Sequence, residues 1–163
     1  MEIKYENVLV NKQLLTPLET SKQPIIRYNC DSNKYYTLIL NDPNAVVGNR
    51  IHWLVINIPG DSIRNGETIF NYDGPHPPEG SGFHKYIFSI FKQPNKLKYN
   101  FTNSVKNRII NMKNLINQLK LIENPIYTNY FKSTFYGKKR NSKYKTKRHF
   151  KNKNKKRTRK ILL

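Results

Sequence analysis

Three of the four histidines of this 163-residue chain, His52, His76 and His84, lie between Asp42 and Tyr86. From Asp42 the sequence runs DPNAVVGNRIHWLVINIPG, then DSIRNGETIFNYDG, then PHPPEGSGFHKYIFSIF. Imidazoles, a phenol and the backbone amides of a glycine-rich loop are hydrogen-bond donors, and such donors suit a phosphate or another small oxyanion. Asp42 does not itself attract an anion, but a carboxylate can orient and charge a neighbouring imidazole. Asp42, His52 and His84 also compose a two-histidine, one-carboxylate metal set, although no HxH or HxxxH spacing supports it. A hydrolase needs a nucleophile, and neither a G-x-S-x-G elbow nor a reactive Cys–His pair is visible. A binding site without metal, cofactor or turnover is therefore the expectation. Taken singly, His52 and His84 read as satisfied core histidines, Tyr86 as core and His76 as exposed; their joint spacing favours a site. Trp53 and Phe83 read as core or pocket wall.

Strands must position these side chains. Ile51–Ile58 and His84–Phe91 are rich in β-branched and aromatic residues. Tyr35–Leu40 is a further apolar run, ended by Asp42-Pro43. Between the first two lies GPHPPEGSG, whose prolines lack amide donors and whose glycines favour special dihedrals, so it is a stiff loop. Short strands are predicted at Glu2–Tyr5, Val8–Val10 and Pro24–Tyr28, and a last one at Ile126–Phe135. Asp61–Tyr72 reads as polar, with a tight turn at Asn65-Gly66. Val105, Ile109, Met112, Ile116 and Leu119 recur at helical spacing and predict a helix over Ser104–Leu121, capped by Asn103 or Ser104. Five or more strands before one late helix predict a mainly β, antiparallel domain.

The net charge of +20 is uneven. Residues 1–137 hold 16 basic and 10 acidic side chains, whereas 138–163 hold 14 basic and none acidic. The expected organisation is a folded body, 1–137, and a disordered or extended basic tail, 138–163. In the tail, Lys138, Lys139, Arg140, Lys147, Arg148, Lys155, Lys156, Arg157, Arg159 and Lys160 are the candidate contacts to a polyanion, either nucleic acid or an anionic membrane surface. The lone Cys30 excludes an intrachain disulfide, and the opening Met1-Glu2-Ile3-Lys4-Tyr5 shows no signal-peptide core. Together they predict a reducing, cytoplasmic-type compartment without secretion. The bias to Asn, Lys, Ile and Tyr fits an AT-rich genome, as in some large DNA viruses, for which a virion is the alternative location.

The segments YYTLILNDPNA, HWLVINIPG and YDGPHPPEGSGFHKYIFSIFKQ resemble, in order and spacing, the signature blocks of the phosphatidylethanolamine-binding protein family, which includes Raf kinase inhibitor protein. The opening with its LTP step, Arg108 and the NPIYTNYF block extend the likeness over about residues 1–136. The resemblance implies a β-sandwich of a large central sheet and a smaller one, with few peripheral helices. It also implies an anion pocket lined by Asp42, His52, His84 and Tyr86, with Gly74, His76 and Pro78 on its rim. A phospholipid head group or small oxyanion is the implied ligand, and a client kinase or protease an implied partner. A nucleic-acid-associated protein that keeps the fold as a scaffold is the other reading.

Four departures stand out. Asn44 replaces the second aspartate of the DPD block, so a less negative pocket is expected, and Val46 replaces a proline. Lys85 replaces the arginine of HRY. No leading helix is expected before the first strand. The basic tail takes the place of a carboxy-terminal helix.

Overall fold

The computed structural model describes residues 1–98, 107–122 and 124–135. The basic tail, its boundary at Gly137, Val105 and the expected caps Asn103 and Ser104 lie outside them. The strands are β1 (Glu2–Tyr5), β2 (Val8–Leu9), β3 (Ile25–Arg27), β4 (Tyr35–Asp42), β5 (Arg50–Pro59), β6 (Glu67–Phe70), β7 (His84–Lys92) and β8 (Tyr127–Ser133), with helix α1 (Met112–Gln118) before β8. They form two antiparallel sheets, ordered β2-β1-β3 and β6-β5-β4-β7-β8. The chain is thus a mainly β sandwich, as its strand-rich sequence predicts.

The sandwich follows from side-chain alternation along the central strands. One face of the large sheet carries Leu38, Leu40, Val55, Phe88 and Ile90, packed on Ile3, Tyr5 and Ile26 of the small sheet. The other carries Ile39, Leu54, Ile56 and Phe91, covered by Leu115 and Leu119. Because β4 and β5 are buried on both faces, they read as continuous apolar runs.

The helix differs from its prediction. Asn111, whose side chain accepts from Asn114 N at 3.2 Å, is the cap. Arg108–Ile110 stay extended because Ile51 N donates to Arg108 O and Ile110 N donates to Asn49 O, at 2.7 and 3.0 Å. Those tertiary bonds to the start of β5 outweigh the helical spacing of Ile109. The chain stretch read as polar contains an edge strand, β6, whose Glu67 and Thr68 are exposed and leave little apolar signal.

One irregularity in β5 decides the position of a candidate residue. Leu40 pairs with Trp53 and Asn41 with Ile51, so His52 is the extra residue of a β-bulge. Strict alternation would set His52 beside Leu54 and Ile56 on the helix-covered face. The bulge instead turns it to the face of Tyr86, whose ring is met edge-on at 5.1 Å. The carbonyls of Ile51 and His52 at the bulge accept from the Arg108 guanidinium at 3.3 and 3.1 Å.

Candidate functional site

At the end of the large sheet where β4 stops and β7 begins, one face opens into a cleft of about 380 Å³. Period-2 spacing puts Leu40 with Asp42, and His84 with Tyr86 and Phe88, so the strand ends deliver these groups to one face. Asp42, His52, His76, Pro78, His84 and Tyr86 all border the cleft. Gly74 does not: a Cβ there would lie 3.0 Å from Thr20 O, so its missing side chain lets the loop pack on the Thr20–Ser21 backbone. Trp53 is core, whereas Phe83 is 64% exposed and is neither core nor cleft wall.

Two carboxylates anchor the site, and each is matched to a cation or a ring. The Nδ1 of His84 lies 2.6 Å from Asp42 Oδ2, with both side chains almost wholly buried. Asp42 Oδ1 accepts from Asn44 N at 2.8 Å. The other ring nitrogen of His84, Nε2, is 2.9 Å from Ser81 Oγ. Ser81 Oγ in turn donates to Pro78 O at 2.7 Å, so it accepts from His84. Both nitrogens of His84 therefore face oxygen atoms, one on Asp42 and one on Ser81. Asp42, His84 and Ser81 have the connectivity of an acid–base–nucleophile relay, but the hydroxyl proton is committed to a carbonyl and not to the imidazole.

Asp73 is the second carboxylate. Arg50 Nη2 donates to its Oδ2 at 2.9 Å, and both groups are about one-third exposed. Burial raises the Asp73 carboxyl, but the bond from Arg50 and the charges of Arg50 and Arg108 outweigh it and hold the group below the usual carboxylate range. His52 donates Nδ1–H to Asp73 O at 2.7 Å, while its Nε2 is buried without a hydrogen-bond partner. Burial, opposed by the Asp73 carbonyl, holds His52 below the usual imidazole range and hence neutral near pH 7. Burial and the nearby Asp42 charge push the Tyr86 phenol up, so it stays a donor. His76 is exposed, its Nδ1 held 2.6 Å from Gly74 O.

Arg50, Asp73 and Ser81 were not among the residues expected from sequence. Arg50 and Asp73 are 23 positions apart, and nothing local pairs them. The acid directly before Gly74 was the available signal. Asn44 is not on the cleft wall; its Oδ1 accepts from Lys85 N at 3.0 Å and ties the β4–β5 loop to β7. The carboxylate absent at Asn44 therefore changes the cleft less than Asp73, which supplies one from another loop. Among the described residues there is no cluster of three metal-ligating side chains, since His52 and His84 are turned to different partners.

The His52 environment gives a pH prediction. A neutral ring is favoured in the fold, whereas the unfolded ring protonates near its ordinary value of about 6.5. Below that value the unfolded chain holds more protons, so this group's contribution to stability falls as pH falls. The melting temperature of wild type relative to His52→Gln should therefore drop between pH 7 and pH 5. A constant difference across that range would show that burial does not govern the ring.

One five-stranded and one three-stranded sheet pack as a sandwich with a histidine-bearing cleft at the strand ends. Residues 7–131 match the sequence model of the phosphatidylethanolamine-binding protein family, and the chain belongs to that family. The structure is similar to the carboxypeptidase Y inhibitor solved with its cognate proteinase (TM-score 0.69, 18% identity, 83% of this chain and 82% of that one). It is also similar to a phosphatidylethanolamine-binding protein from Plasmodium vivax (TM-score 0.63, 20% identity, 83% and 84% covered). At those identities the likeness is one of fold. A 26 kDa secreted antigen of Toxocara canis is 38% identical over 95 residues, 54% of this chain and 36% of its own length. A Drosophila melanogaster relative is 34% identical over 107 residues, 61% of this chain, which spans 51% of that protein.

The secreted relative overturns the expectation of a reducing, intracellular location. A lone cysteine excludes only an intrachain bridge, and a core this extensive is stable without one, so Cys30 carries no information on compartment. No helix among the described residues is long and apolar enough to cross a membrane.

Proposed function

We propose that the cleft binds the phosphate of a phospholipid head group, or a small oxyanion of the same chemistry, without turning it over. The supporting observation is the convergence of Arg50, His84 and Tyr86 on one cleft in which both carboxylates already have partners. Arg50 uses one N–H on Asp73 and has further N–H groups in a fixed fork. Tyr86 offers a hydroxyl on the cleft wall. Binding without turnover is supported by the Ser81 hydroxyl, whose proton is directed away from His84. A second reading, an adaptor that docks on a proteinase or kinase by the cleft rim, draws on the structural neighbour solved with a proteinase.

Titration of the full chain with inorganic phosphate and with glycerophosphoethanolamine, followed by the histidine ring resonances, tests the first reading. Saturable shifts at His52 and His84 are expected, with His76 less affected. Absence of saturable shifts with either ligand would refute it and leave the rim-docking reading.

A further inference from the structure

The rim of the cleft is apolar. Val46 and Val47, 74% and 69% exposed, stand on its wall in the β4–β5 loop. Phe83 projects from the neighbouring loop, joined to the first by the bond from Lys85 N to Asn44 Oδ1. Beyond His76 and Pro78 the cleft continues into a groove of about 350 Å³ that is walled by Pro17, Pro77 and Phe135. Thr134 Oγ1 donates to Gly82 O at 2.9 Å, which holds that groove against the Phe83 loop. Four of the ten large exposed hydrophobics of the described residues, Val46, Val47, Phe83 and Phe135, thus gather at the one end that carries the cleft. Such clustering marks an interaction surface.

We propose that this collar is a membrane wedge: Val46, Val47 and Phe83 enter the outer layer of an anionic phospholipid bilayer while the cleft holds a lipid phosphate between them. The proposal rests on the phosphate reading of the cleft. A bilayer surface is the occupant because it places phosphate and hydrocarbon within a few ångströms of each other, the same adjacency the cleft and its collar present. Interfacial apolar side chains settle at the boundary of head group and acyl chain. The charge agrees, since the chain carries +20 overall and residues 1–137 alone carry 16 basic against 10 acidic groups. Val46 stands where the family resemblance leads one to expect a proline, so that part of the wedge is particular to this chain.

Phe83→Trp in the full chain, mixed with phosphatidylcholine–phosphatidylserine vesicles bearing brominated acyl chains, reports insertion directly. Quenching of the new indole is expected, with no quenching in wild type, where Trp53 is 3% exposed. Phe83→Ser should lower vesicle affinity by about tenfold, measured in high salt to suppress attraction of the basic tail. The same variant should bind inorganic phosphate as wild type does, because Phe83 is not on the cleft wall. An unquenched indole on vesicle-bound protein, or undiminished affinity of Phe83→Ser in high salt, would overturn the wedge. If Phe83→Trp is quenched yet wild type binds no soluble phosphate, the phosphate reading fails and the insertion stands.

Discussion

Replacing Arg50 by glutamine should weaken phosphate binding by about 10- to 100-fold, the effect of losing one charge-assisted hydrogen bond worth roughly 1.5–3 kcal/mol. Arg50 is the fixed cation of the cleft, because its guanidinium does not lose its proton and its partner Asp73 engages Nη2. The substitution does more than remove a donor. It leaves Asp73, held in the ionised form by Arg50, as an uncompensated negative charge beside the ligand. Asp73→Asn should recover part of the affinity in the double variant, and that recovery separates repulsion by Asp73 from loss of the Arg50 contact. Isothermal titration with inorganic phosphate measures both. An Arg50→Gln protein that binds as wild type does would place the anion away from Arg50. The partial exposure of the pair keeps the fold indifferent to the change, so melting should shift little.

The parts of the site that a sequence reveals are those governed by local rules. The apolar runs of β4, β5 and β7 announce central strands, and their ends bring Asp42, His84 and Tyr86 together through period-2 alternation alone. His52 is different. Its placement depends on a bulge that moves it from the face of Leu54 to that of Tyr86, and no residue in HWLVINIP signals where the extra residue falls. Arg108 steadies that bulge by donating to carbonyls from a segment more than fifty residues later. The start of α1 departs from its helical spacing for the same reason. Ile109 keeps helical spacing with Met112 and Ile116, but tertiary hydrogen bonds to β5 claim its backbone, and propensity yields to them. Long-range pairing also hid Arg50 and Asp73, each an ordinary charged residue until the fold sets them 2.9 Å apart.

Asp42→Ala is expected to cost about 3–5 kcal/mol of folding stability, the magnitude of breaking a buried pair by removing one partner. For a domain of this size that lowers the melting temperature by on the order of 10 °C. The aspartate is 2% exposed and uses both oxygens, Oδ2 on His84 Nδ1 at 2.6 Å and Oδ1 on Asn44 N at 2.8 Å. Alanine leaves a buried imidazole N–H and a backbone amide without acceptors. Its effect should spread, because Asn44 carries the tie to Lys85 N that closes the β4–β5 loop against β7. Asp42→Asn keeps one acceptor and nearly the same shape, so it should cost roughly half as much, by the usual worth of a hydrogen bond to a charged group. Urea unfolding of the three proteins reads the difference. Equal losses for alanine and asparagine would assign the effect to charge, and a loss below about 1 kcal/mol for alanine would show that the pair is not a structural one. The expected order, alanine worse than asparagine, makes Asp42 the post on which His84 is hung, with the ring positioned for a ligand only while the carboxylate holds it.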